Sequence, residues 1–175
     1  MLTNNFWSAL AQNMIGTHKY NSIKNTSGSL GQINNAVGTF LPFFISDSSY
    51  GADLSKVNKS YNTSGGGVIF GDGDTPPAME DYKLAGNIIT GLSASVNMTS
   101  SINNGVAQIV ATYTITASSE VTIKEIAAFA DAGHTGNYMV DRTVLDTPVT
   151  IPAGGIGQVV YTITFNYPTA TTGTN

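Results

Sequence analysis

Few residues of this 175-residue chain have the chemistry for catalysis, and their types narrow the options at once. With no cysteine, thiol nucleophiles, disulfides and zinc–thiolate sites are impossible. Two histidines occur, His18 and His134. His134 has Asp131 and Asp141 nearby in sequence, residue types found in a Ser-His-Asp relay, but no G-x-S-x-G elbow fixes a nucleophile beside it. A solvated loop histidine is the simpler reading. The run Gly65-Gly66-Gly67 continues into Val68-Ile69, where a phosphate loop needs Lys followed by Ser or Thr. Glycoside hydrolysis needs two carboxyls about 5 Å or about 6.5–9.5 Å apart, and no spacing among the acids singles out a pair. No catalytic residue and no cofactor is assigned.

One acidic cluster stands out, Gly71-Asp72-Gly73-Asp74-Thr75-Pro76-Pro77 running on to Glu80-Asp81-Tyr82. Asp72, Asp74 and Asp81 have the hard oxygen ligands that Ca²⁺ takes. Read as an EF-hand from Asp72 the segment fails, because Pro76, Pro77 and Lys83 fall where the loop needs a ligand, a glycine and a bidentate acid. Asp-Gly and Thr-Pro-Pro are turn chemistry in their own right, so a turn is the leading reading and a cation the weaker one. Tyr50, Tyr61, Trp7, Tyr138 and Tyr167 have rings able to stack on a sugar, although Trp7 and Tyr167 fit core positions better.

Composition sets the frame for these residues. Charged residues are 10% of the chain, against about 25% in an ordinary soluble domain. Net charge is −4 with seven Lys and Arg, which argues against a nucleic-acid partner needing a basic face. The opening residues lack the basic and apolar regions of a secretory signal, and no stretch approaches the ~20 apolar residues of a membrane span. A polar but uncharged surface is poorly protected against association.

The elements follow from periodicity. Residues 4–14 read as a helix capped by Asn4 or Asn5, with Phe6, Leu10 and Met14 in one stripe beside Trp7. So short a helix must dock, either on its own body or on a neighbouring subunit. From Lys19 to Gly67 the pattern is broken, and Phe40, Phe43 and Phe44 mark an apolar run interrupted by Pro42, suited to core or to a contact surface. Beyond Phe70 the reading sharpens. Gly91–Ile102 and Val106–Ala117 form a hairpin through Asn103-Asn104-Gly105, Val121–Ala130 is a strand with a slip in alternation near Glu125-Ile126, and Tyr138–Leu145 and Val159–Tyr167 follow. Strands without intervening helices predict an all-β antiparallel sandwich, jelly-roll or immunoglobulin-like.

Three segments carry a resemblance. Phe70–Leu84, Val121–Ile126 and the block Asp141-Arg142-Thr143-Val144-Leu145-Asp146-Thr147-Pro148 through Gly155 resemble small β-rich virion proteins of tailed phages and prophages of gut bacteria. The resemblance covers residues 68–168 well and the first 67 poorly. It implies a virion structural component, placed in the head, fibre base, collar or tail, and it carries over no catalytic residue.

The expected organisation is an N-terminal docking arm over 1–67, a sandwich over 68–168 and a loose tail over 169–175. Phe6, Trp7, Leu10, Met14, Phe40, Phe43 and Phe44 are expected to form the assembly interface. Arg142, the single arginine, flanked by Asp141 and Asp146, is expected to stitch two strands through a carboxylate pair or to contact another subunit. The expected partners are other virion proteins or further copies of the chain, with no nucleic acid and no membrane. Recognition of a host glycan from the particle surface is the alternative function.

Overall fold

Asn104 and Gly105 adopt φ of 46° and 80°, the left-handed pair that a two-residue hairpin turn demands. They join the two longest-paired strands of an all-β protein. The computed structural model describes residues 1–15, 23–31, 53–61, 66–131 and 137–166. Helix α1 (Asn4–Ile15) precedes the short strands β1 (Ile23–Lys24) and β2 (Leu30–Gly31), which pair with each other. Strand β3 (Gly67–Gly71) opens the main body, followed by β4 (Leu92–Asn103), β5 (Val106–Ala117), β6 (Val121–Asp131), β7 (Asn137–Ile151) and β8 (Ile156–Asn166).

These six strands make two antiparallel sheets, ordered β3-β6-β7 and β4-β5-β8. Their inner faces share one core, in which Val68, Phe70, Ile126 and Tyr138 of the first sheet meet Tyr113, Ile115, Val159 and Tyr161 of the second. Phe70 packs edge-on against Tyr113 with centroids 5.4 Å apart. The expected sandwich is therefore present, with β5 at its expected bounds and β4 displaced by one residue from the expected Gly91–Ile102.

The predicted slip in β6 is a register shift between Ile123 and Glu125. Opposite it, Leu145–Pro148 of β7 find no partner, consistent with a proline that has no amide hydrogen for a ladder. Because of the slip, Ile123 and Ile126 both face the common core while Glu125 turns to the other side. That other side is also covered. Ile69, Ala127, Phe129 and Met139 form a second cluster closed by Leu84, Tyr61 and Ile88 from outside the sheet, so β6 is buried on both faces.

Described residues on both sides of residue 67 share one core. Phe6 and Ala9 of α1, Ile23 of β1 and Leu54 lie in the same core as the two sheets. The Thr3 amide donates to the Val140 carbonyl, the Thr3 hydroxyl to the Met139 carbonyl, and the Arg142 amide to the Met1 carbonyl. The described parts of the arm are thus structural members of the sandwich. Asn5 does not cap the helix. Its side-chain amide donates to the Lys24 carbonyl and its oxygen accepts the Lys24 amide, both at 2.8 Å, clamping β1 onto α1. Phe40, Phe43, Phe44, Tyr50, Tyr167, His18, His134 and the tail 169–175 lie outside the described residues.

Candidate functional site

Glu125 is the least expected residue of the fold, a carboxylate with no exposed surface at the head of the apolar run Ile126–Ala130. Desolvating a charge is tolerated only when its lone pairs are filled. Here Oε1 accepts the amides of Gly86 at 2.8 Å and Gly73 at 3.1 Å. Oε2 accepts Ala85 N–H at 3.2 Å and Arg142 Nε at 2.7 Å. Arg142, 1% exposed, completes the knot by donating Nη1 to Asp81 Oδ2 at 2.8 Å and Nη2 to the Thr75 carbonyl at 2.9 Å. Burial works against the guanidinium charge, but the hydrogen bonds to Glu125 and Asp81 outweigh it and hold the Arg142 pKa above its ordinary value.

Local backbone makes this approach possible. A β-carbon on Gly73 would stand 2.4 Å from Glu125 Oε1, and one on Gly86 would stand 2.3 Å from the Gly73 nitrogen. Only glycine lets the two strands of the loop close over the carboxylate. Three segments distant in sequence converge here, Asp81 and Thr75 from the loop after β3, Glu125 from β6 and Arg142 from β7. The knot fastens the loop between β3 and β4 onto the outer face of the β3-β6-β7 sheet.

Arg142 therefore does stitch elements through carboxylates, but not through the acids flanking it. Adjacent strand residues point to opposite faces, and the register shift between Ala128 and Phe129 places Val140 and Asp141 toward the common core. Asp141 accepts the Tyr161 hydroxyl from the opposite sheet and the Thr143 hydroxyl at 3.1 Å, and lies 2.9 Å from the Met1 amino group. Burial first, then the neighbouring Asp141 charge, raises the Tyr161 pKa far above its ordinary value. Asp146 falls in the unpaired stretch of β7, is exposed, and makes no bond to Arg142.

The weak cation site is dispersed in the same way. Asp72 accepts the Asn87 amide at 2.6 Å, Asp74 pairs with Lys124 at 3.0 Å, and Asp81 serves Arg142 and the Ala78 amide. Each carboxylate is taken by a different protein donor, and the described residues contain no group of three His, Asp or Glu able to hold a metal. The turn reading of this segment is the one that fits.

The aromatic and helical candidates also separate. Phe6 is 1% exposed, wedged edge-on against Trp7 and tilted against Phe165, so its ring is core and not interface. Leu10 packs partly buried on the same core, Trp7 remains 47% exposed, and the side chain of Met14 lies outside what is described. Tyr138 is fully buried, and half-buried Tyr61 leans on Phe129 while accepting the Leu84 amide. No described pair of these rings forms an open platform for a sugar.

A different feature reaches the surface. Strands β4, β5 and β8 contain no Asp, Glu, Lys or Arg at all. Their outward face is a field of Ser, Thr, Asn and Gln with exposed Val160 and Ile156 among them. No helix among the described residues is long and apolar enough to cross a membrane. In comparison with known proteins, no family model, curated protein or solved structure matches the chain.

Proposed function

We propose that the chain is a structural subunit that works by protein–protein assembly, as a minor component of a tailed-phage particle in its head, fibre base, collar or tail. The observation that supports assembly is the charge-free β4-β5-β8 sheet. A face without charge lacks the repulsion that keeps soluble domains apart, and its hydroxyls and amides can be satisfied by another protein surface. The side chains with chemical potential support the same reading. Glu125, Arg142, Asp81 and Asp141 spend their hydrogen-bonding capacity inside the fold, where they fix loops and sheets. The assignment to a phage rests on the resemblance of the three segments that meet at Glu125 and Arg142.

Quantitative mass spectrometry of purified particles tests this. The expected result is a fixed copy number relative to the major capsid or tail protein, resistant to washing. Loss on washing, together with retention of the isolated chain on host cell-wall polysaccharide, would replace assembly by glycan recognition.

A further inference from the structure

We propose that two copies of the chain join through strand β4, whose free edge pairs antiparallel with its counterpart to make one continuous six-stranded sheet. The inference rests on the assembly reading and deepens it, naming the partner as a second copy and the contact as one strand edge.

The edges of the two sheets are treated very differently. On β3, Val57 forms a bridge to Val68, and the Val68 and Asn58 amides bond across that contact. On β7, Leu2 bridges to Asp141, Thr3 adds a backbone bond, and Pro148 interrupts the rest. Such covers, prolines, bulges and charges are how proteins stop strand edges from pairing. Strand β4 has no proline, bulge or charge, and no cover among the described residues. Its ladder to β5 runs through twelve residue pairs without a shift, and no described residue bonds its other side. Among the described residues, a row of amides and carbonyls about 40 Å long is thus left without a strand partner.

Packing distinguishes β4 from the other uncovered strand, β8. Of the inward residues of β8, Val159, Tyr161 and Ile163 are buried and Phe165 partly so. On β4 only Leu92 is buried; Ala94, Val96 and Met98 are partly buried, and Ile102 is 77% exposed. Among the described residues, the sandwich is short of one strand on the β4 side.

Charge complementarity selects the occupant. An uncharged strand offers nothing to a charged partner and meets no repulsion from itself. Side chains directly opposite in an antiparallel pair share a face, so the register must pair residues of equal parity. A two-fold axis at Asn97 satisfies this and sets Val96 against Met98 and Ile102 against Leu92 of the mate. The contact is isologous and closes on itself as a dimer.

Sedimentation velocity of the full chain across a concentration range tests the proposal, with S95K/T99K as the disrupting variant. Both side chains are exposed on the outward face, and in the Asn97-centred register each lysine lies opposite a lysine of the mate. The expected result is a discrete dimer for the natural chain and at least tenfold weaker association for S95K/T99K. The matched variant Q158K/T162K, which adds the same charge to β8, should leave the dimer intact. As a second measurement, N97C should give a disulfide-linked dimer on oxidation, because opposed residues in such a pair stand about 4.5–5.5 Å apart at Cα. This decides the matter if far-UV circular dichroism shows S95K/T99K to be unfolded. A monomer at every concentration, an S95K/T99K dimer of unchanged affinity, or N97C that stays uncrosslinked would each overturn the proposal. So would an open-ended series of species, which would indicate β4-to-β8 joining. Copy number in particles is read separately, so a chain that enters particles without β4 pairing sinks this inference alone.

Discussion

Replacing Arg142 by lysine is the sharpest test of how this fold is held together. Arginine here uses three nitrogens in three directions, toward Glu125, Asp81 and the Thr75 carbonyl. Lysine offers one nitrogen on a flexible stem and cannot span that fork. It keeps one ion pair and forfeits two bonds involving charged groups, each worth about 1.5–3 kcal/mol, so a net loss of about 3 kcal/mol is expected. At about 2–4 °C per kcal/mol for a chain of this size, the melting temperature should fall by roughly 6–12 °C. Arg142→Met should cost more, about 3–5 kcal/mol, because Glu125 would keep a buried charge without its cation. Asp146→Ala, at an exposed position outside the knot, should stay within about 0.5 kcal/mol of the natural chain. Differential scanning calorimetry at neutral pH reads all three. Protease sensitivity of the loop 72–87 should rise in Arg142→Lys, since that loop is what the knot secures. A fall of less than about 2 °C for Arg142→Lys would refute the assignment of Arg142 as the fastening of the fold.

Tyr113, Tyr138 and Tyr161 all have pKa values raised chiefly by burial, so above pH ~10 the unfolded chain sheds phenol protons that the folded chain keeps. Stability should therefore be intact below pH 10 and fall by up to about 1.4 kcal/mol per pH unit for each tyrosine above it; urea midpoints that hold constant from pH 9.5 to 11 would contradict this. Gly73→Ala should destabilise by several kcal/mol or prevent folding, because its methyl would displace Glu125 or Gly86, and a melting temperature equal to the natural one would show that the loop closes elsewhere. Phe6→Ala should cost about 3–5 kcal/mol as a core truncation, measurable by chemical denaturation, whereas an effect on association alone would restore Phe6 to an interface.

Much of the sandwich could be read from alternation and one turn dipeptide. Val106–Ala117 repeats apolar residues at every second position, and Asn104-Gly105 fixes its register with β4, so the hairpin is determined within 26 residues of sequence. The slip at Glu125 was visible for the same reason, as a break in period. What alternation cannot say is which partner a charged side chain finds. Arg142 lies beside Asp141 in sequence, but strand geometry sends them to opposite faces, and the carboxylates that do reach Arg142 are 17 and 61 residues away. A charge within the apolar run Glu125–Ala130 was the one available signal for the knot, since a buried acid in such a run requires a cation. Phe6 was misplaced for a related reason. An amphipathic stripe reveals that a helix docks, and gives no information on whether the docking surface belongs to the same chain.

The low charge of the whole chain conceals an uneven distribution. On the β3-β6-β7 side, the loops and strands hold Asp72, Asp74, Asp81, Lys124, Glu125 and Arg142, nearly all engaged with one another or with backbone amides. On the other side, three strands carry no charge and one long edge carries no cover among the described residues. These two properties are complementary. A sheet whose ions are internally paired can be rigid without presenting a field to its surroundings, and Phe70 on Tyr113 and Tyr161 on Asp141 tie the opposite sheet to it. A strand edge held rigid in this way loses little conformational freedom when a second strand pairs with it, which lowers the entropic cost that association must overcome. On the proposed pairing, the buried knot and the β4 edge belong to one design, in which the charged half of the sandwich preorganises the uncharged half for contact.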